Sequence, residues 1–181
     1  YNVSRNLLSE CLDSILNQSY ENFEICIADD CSTNEETIDT LRKYEEKYDR
    51  IKVIYRKENG HISEASNSAI KLASGEFIGL VDNDDILDKD ALYYIVKELN
   101  CDKSLDMIYT DEDKLDFDGK RCFPHFKSDF AIDTLLSSNY ICHFTVIRKS
   151  IVDKVNGFRS EYNGAQDYDL FLRVIDETRN I

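Results

Sequence analysis

At 181 residues, with 42% hydrophobic content, six Gly and one Pro, the chain has the makeup of one compact folded domain, which excludes a disordered or fibrous segment. Its 36 acidic against 22 basic residues leave a formal charge of −14. That balance excludes a basic face for nucleic acid or anionic lipid, so an anionic ligand would have to arrive with a cation. No stretch reaches the roughly 18 to 20 apolar residues of a membrane span, and the opening YNVSRNLLSE holds no signal-peptide core.

In chain order, Leu7, Leu8, Cys11, Leu12, Ile15 and Leu16 recur at helical spacing, and FEICIA follows as a short buried strand that ends at Asp29 and Asp30. Ser32 and Glu35 have the spacing of a capping box, and Ile38, Leu41, Tyr44 and Tyr48 stripe the next helix. IKVIYR is a strand. Ala65, Ala69, Ile70 and Ala73 mark a helix closed by Ser74-Gly75, after which EFIGLV is a strand running into VDNDD. Asp88 is placed to cap a helix carrying Leu92, Ile95, Val96 and Leu99, and LDMIYTDED is a further strand ending in acid. Asp118-Gly119 predicts a tight turn, YICHFTVIR a strand, and QDYDLFLRVI a final amphipathic helix with Leu170, Phe171, Val174 and Ile175 inside.

Alternating helices and nearly continuous apolar strands predict an α/β fold, with a mostly parallel sheet covered on both faces and a small antiparallel part in the C-terminal half. Without a Pro/Gly/Ser-rich linker or internal repeat, residues 1–181 read as one domain, with a change of texture after residue 114. Both ends read as cut: no strand precedes the first helix, and the chain stops just after the last one. Cys11, Cys26, Cys31, Cys101, Cys122 and Cys142 are scattered, without a C-x-x-C pair or a His at zinc-ligand spacing. They read as reduced thiols, some packed as small hydrophobes, and point to a cytoplasmic setting.

Three strands finish in acid, at Asp29-Asp30, Asp82-Asn83-Asp84-Asp85 and Asp111-Glu112-Asp113. In an open parallel sheet, ligands bind outside the carboxyl ends of the strands, so the three clusters are expected to face one region. Like charges gathered there repel unless a divalent cation offsets them, and oxygen ligands suit Mg²⁺ or Mn²⁺ carrying a substrate diphosphate. Asp and Asn are also ordinary turn residues. A calcium loop of the EF-hand kind does not fit, since Leu87 stands where its Gly is required.

The stretches SILNQSYENFEICIADDCSTNEET, NGHISEASNSAIKLASGEFIGLVDNDD, YTDEDK and NGAQDYDLFLRV together resemble the inverting GT-A glycosyltransferases of family 2, especially bacterial enzymes building O-antigen, rhamnan or capsular chains. The resemblance runs from residue 1 to residue 181 with the motifs in order. It implies residues 1–114 as the nucleotide-sugar half and 115–181 as the acceptor and catalytic-base half. Tyr1 would stack on the base, Asp30 would accept a hydrogen bond from uracil, and Asn59, Gly60, His61, Ser63 and Asn67 would frame the nucleotide. Asp84 would bind the metal, Mn²⁺ or Mg²⁺, with Asp82 contacting ribose or metal. Asp167, in the Q-D pair, would be the catalytic base. The implied partners are a nucleotide-sugar donor, a UDP sugar foremost, and a glycan or lipid-linked glycan acceptor, in the cytoplasm or at the inner face of the membrane.

Several positions keep two readings. Asp167 also suits a helix-start acid. Asp111, Glu112 and Asp113 are sugar ligands or a solvated turn, His143 is an acceptor-side group or a satisfied core histidine, and Asp85 supports the metal site or simply turns the chain. Tyr109, Phe123 and Phe126 form a sugar-stacking surface or, by default, core. Many relatives carry Arg in an A-R-N triplet where this chain has Ala65-Ser66-Asn67, and the family's first strand and a downstream His-containing motif fall outside the sequence. Rival readings are a sugar-phosphate nucleotidyltransferase, a receiver domain, which leaves QDYDLFLRV unexplained, and a non-catalytic glycan-binding module.

Overall fold

Helix α1 (Arg5–Leu16) turns Leu8, Cys11 and Leu12 inward, and the apolar run behind it forms β1 (Ile25–Asp29). A computed structural model describes all of residues 1–181. Helix α2 (Glu35–Lys47) leads to β2 (Ile51–Tyr55), which pairs parallel with β1 from Ile25↔Ile51 to Asp29↔Tyr55. Next come α3 (His61–Leu72), β3 (Phe77–Leu80), α4 (Ala91–Cys101) and β4 (Met107–Tyr109). A hairpin follows, β5 (Glu112–Leu115) with β6 (Arg121–His125), turned at Gly119 with φ +73°. The chain closes with α5 (Ile132–Ser137), β7 (Thr145–Arg148), α6 (Lys149–Lys154), a 3₁₀ turn (Ser160–Tyr162) and α7 (Gln166–Glu177). No helix is long and apolar enough to cross a membrane.

The α/β class with an antiparallel part is borne out, and the pairing shows where the two senses meet. Strands β3 and β4 run the same way, but they are not neighbours, because β7 lies between them antiparallel to both. An antiparallel strand inside the sheet is foreign to the doubly wound parallel sheet of a receiver domain. Strands β1 and β3 have no hydrogen-bonded contact with each other; an apolar cleft of about 1580 Å³ separates them.

The largest core cluster joins β4 and β7 to α7 through Met107, Ile147, Leu170, Phe171, Val174 and Ile175, and a separate cluster of Leu8, Leu12, Ile25, Leu41 and Ile51 serves α1, α2, β1 and β2. The four residues expected inside α7 are buried there. At its far end β7 is anchored by Arg148, whose Nε donates to Asp106 Oδ1 at 2.7 Å.

Several local expectations are corrected. Helix α2 is capped by Asn34, whose side chain accepts from the Glu36 N–H at 2.9 Å. Ser32 serves a different partner, accepting the Asn2 N–H at 2.9 Å. Helix α4 begins at Ala91 behind Asp90, and Asp88 instead accepts the Asp90 N–H at 3.2 Å in the preceding turn. LDMIYTDED is broken into β4 and β5, and only Thr145–Arg148 of YICHFTVIR is strand.

Gly157 carries φ +63°, and a Cβ there would lie 2.4 Å from Asn67 Oδ1, the atom that accepts the Phe158 N–H at 2.8 Å. Gly157→Ala is therefore expected to cost about 1 to 3 kcal/mol, from left-handed strain and loss of that bond, read as a lower melting temperature by circular dichroism.

Candidate active site

The register of β7 assembles the site. Leu80 and Tyr109 both pair with Thr145, so the ends of β3 and β4 and the entry to β7 meet at one edge. Asp82 follows β3, Asp111 and Glu112 follow β4, and His143 precedes β7.

After β3 the chain makes a turn in which the Asp85 N–H donates to Asp82 O at 3.2 Å. Asp82 and Asp85 are its first and fourth residues, and Asn83 and Asp84 occupy its centre. Ligand atoms of Asp82, Asp85 and His143 lie within 4.8 Å of one another, and His143 Nε2 stands 3.7 Å from Asp82 Oδ2. The expected ligand Asp84 lies outside this group, although its charge reaches Asp82. Two carboxylates and an imidazole fit a divalent first-row ion such as Mn²⁺ better than Mg²⁺, which prefers oxygen alone. The imidazole is the new member, since His143 is half-exposed and turned to the acids rather than buried in the core.

The cluster carries an unbalanced negative field. The Asp82 carboxyl is pushed above its ordinary pKa chiefly by partial burial, which outweighs a lowering by His143, with smaller upward pushes from Asp84 and Asp167. Asp85 is pushed up in the same way, by burial and by Asp82, Asp84 and Glu112. Behind them the Cys11 thiol is raised to about 12 by burial and by Asp85, Asp84 and Asp82. A bound cation would remove this cost.

Asp167 is the second residue of α7 and is half-buried. Its Oδ2 accepts from Asn139 Nδ2 at 2.8 Å. A crevice of about 90 Å³ has Asp82, His143 and Asp167 in its wall, together with Ser66 and Gln166. The neighbouring Asp169 has a different task, as Arg159 and Arg173 both bind its buried carboxylate.

Tyr1, Asp30, Asn59, His61 and Asp82 all border the cleft between β1 and β3. The buried Asp30 carboxylate accepts from Arg56 Nε at 2.8 Å and from the Gly60 N–H at 3.0 Å, and Asn59 Nδ2 donates to Asp30 O at 3.1 Å. Ser63 and Asn67 face the other way. Ser63 Oγ donates to Asn163 Oδ1 at 2.6 Å, and Asn67 pairs with the Phe158 backbone through both ends of its amide, so the two side chains fasten α3 to residues 158–163.

The hairpin acids are also engaged. Asp111 Oδ1 accepts the Lys127 N–H at 2.7 Å, and Asp113 Oδ2 accepts Arg121 Nε at 2.5 Å. Burial would raise the Glu112 pKa, but the hydrogen bond and charge of Lys127 hold its carboxyl below the usual range. Phe123 and Phe126, core by default from sequence, are exposed on this arm, whereas Tyr109 packs edge-on against Tyr140. Sequence reasoning missed Arg56, Lys127 and Asn139. Only Arg56 left a signal, as the first cation after β2 in a strongly acidic chain.

With Asp82 and Asp85 raised, the fold holds their protons to higher pH than the unfolded chain does, so their contribution to stability is fullest at low pH and is lost as pH rises through about 4 and above. In chelator, Asp82→Asn is expected to melt above wild type at pH 7, with the difference closing below about pH 4 in scanning calorimetry. Added Mn²⁺ should stabilise wild type and not the variant.

A family model, Glycosyl transferase family 2, matches residues 1–155. The chain is 46% identical over 180 residues to an uncharacterized protein, y4gI, of Sinorhizobium fredii, covering 99% of the chain and 20% of that protein. It is 35% identical over 181 residues to the O-antigen biosynthesis protein RfbC of Myxococcus xanthus, covering 100% of the chain and 14% of the relative. The fold superposes on the crystal structure of S. aureus TarS 1-349 in complex with UDP with a TM-score of 0.73 at 25% identity, over 92% of this chain and 50% of that one. The chain thus spans a fifth or less of the length of those two curated relatives and half of the solved structure. By the family match over most of its length, the chain belongs to glycosyl transferase family 2.

Proposed function

We propose that this domain transfers a sugar from a nucleotide diphosphate sugar, a UDP sugar foremost, to a hydroxyl of a glycan or lipid-linked glycan during cell-surface polysaccharide synthesis. The transfer inverts the anomeric centre in one displacement. The observation that carries the reading is the convergence of Asp82, Asp85 and His143 within 4.8 Å, with Asp167 in the wall of the same crevice as Asp82 and His143. The UDP bound by TarS supports the choice of donor, and the O-antigen role in the name of RfbC supports the choice of product.

Asp82, Asp85 and His143 would hold a divalent cation, Mn²⁺ foremost, which when bound supplies positive charge for the leaving diphosphate. Asp84, adjacent in the turn, adds to the negative potential that attracts the ion. Tyr1, more than half exposed on the cleft that Asp30 also borders, offers a ring to the base. Asp30 is already bonded to Arg56, so in this reading the uracil edge meets the pair rather than a free carboxylate.

Asp167 would accept the acceptor hydroxyl's proton as its oxygen attacks, with the Asn139 amide on Oδ2 leaving Oδ1 for the substrate. Asp111, Glu112 and Asp113 would act through the β5–β6 arm, shaping the acceptor side beside the exposed Phe123 and Phe126.

Asp167→Asn is expected to lower glycan transfer by about 10² to 10⁴ while leaving UDP binding within about threefold of wild type, measured by radiolabelled sugar transfer and calorimetry. Full transfer by the variant would remove Asp167 from the role of base. Asp82→Ala and Asp85→Ala should each abolish the Mn²⁺ dependence of donor binding, and metal-independent binding by wild type would sink the cation site.

A further inference from the structure

Lys127 is the most deeply buried ammonium in an ion pair of the molecule, with its side chain 1% exposed. An ammonium has three protons to place and is costly to bury unless each finds an acceptor. Here each does. Nζ donates to Glu112 Oε2 at 3.0 Å, to Ile141 O at 2.5 Å and to His143 O. The same Glu112 oxygen accepts the His143 N–H at 3.1 Å. One ion pair therefore holds both carbonyls that flank Cys142, which sits at φ +41°, together with the amide of His143.

The segment being held runs from Asn139 to His143, and its two ends reach the two parts of the site. Asn139 Nδ2 donates to Asp167 Oδ2 at 2.8 Å, and His143 Nε2 lies 3.7 Å from Asp82 Oδ2. Within the segment, the Asn139 carbonyl accepts the Cys142 thiol at 3.2 Å, and the Thr145 hydroxyl donates to Cys142 O at 3.0 Å. A left-handed non-glycine residue is held only when its surroundings over-determine it, and Lys127 supplies two of those constraints. An apolar residue of similar volume would fill the same space and often suits a core as well as a buried ion pair does, so packing alone does not require a lysine.

We infer that the Lys127–Glu112 ion pair is a positioning device, which fixes the Asn139–His143 segment so that Asn139 orients Asp167 while His143 faces Asp82 and Asp85. Neither Lys127 nor Glu112 touches substrate in this scheme. Its catalytic consequence rests on the function proposed above, whereas its structural content does not.

The test compares wild type with Lys127→Met, with the double variant Lys127→Met/Glu112→Gln, which leaves no buried carboxylate unpaired, and with Arg148→Met, which breaks an ion pair at the opposite end of β7. Amide hydrogen exchange over residues 139–144, Mn²⁺ titration calorimetry and steady-state transfer from a UDP sugar are measured on each. In Lys127→Met, or in the double variant should the single one not fold, exchange at Cys142–Phe144 is expected to rise at least about tenfold. Mn²⁺ affinity and kcat should fall about 10- to 100-fold, with KM for the donor within about threefold. Arg148→Met should lower the melting temperature without moving exchange in that segment or Mn²⁺ affinity. Unchanged segment exchange in a folded Lys127 variant, or equal losses in Arg148→Met, would overturn the inference. If wild type neither binds Mn²⁺ nor transfers sugar, the proposed function fails, and the exchange result alone then decides the positioning role.

Discussion

Insertion of β7 between β3 and β4 is the constraint on which the site depends. Because Thr145 is the common partner of Leu80 and Tyr109, residues far apart in sequence are delivered to one edge without any long loop having to fold back. Thr145, Val146 and Ile147 are all buried, so both faces of β7 are packed and its register must fit the shapes of its neighbours. Gly79 belongs to the same fit: the Phe144 ring lies 3.0 Å from where a Cβ would stand, so β3 gives up a side chain where β7 enters. Packing thereby sets the position of His143, which precedes β7.

The α/β class, the helices and the acidic strand ends were legible in the sequence because hydrophobic periodicity and terminal Asp residues are local signals. The order of strands within the sheet is a property of residues dozens of positions apart, and no local pattern carries it. The stretch VDNDD shows the same limit at short range. Read as D-x-D it directs attention to Asp82 and Asp84, but the turn it forms brings together its first and fourth residues, Asp82 and Asp85. Ser32 and Asp88 had the spacing of helix caps, yet tertiary partners and the preceding turn claimed them. His143 was hidden for a different reason: set among apolar neighbours in sequence, it sits two residues before the strand β7.

The acids divide into two populations that composition does not distinguish. Asp30, Asp106, Glu112 and Asp169 are each matched by an Arg or Lys, and they serve as fasteners within the fold. Asp82 and Asp85 have no Arg or Lys partner, and burial together with their acidic neighbours outweighs the lowering by His143, so their proton affinities are raised. Among the acids near the strand ends, the raised proton affinities thus separate Asp82 and Asp85 from the carboxylates that serve as fasteners.

The two principal apolar clusters do not merge, and the consequence concerns how the molecule opens. Five buried residues secure α1, α2, β1 and β2, against twelve around β4, β7 and α7. Local opening free energies should therefore be graded across the chain, lowest in the part bearing Tyr1 and Asp30 and highest around Asp167. In this geometry the side that would receive the nucleotide is the compliant one, and the side that holds the carboxylate at the head of α7 is stiff.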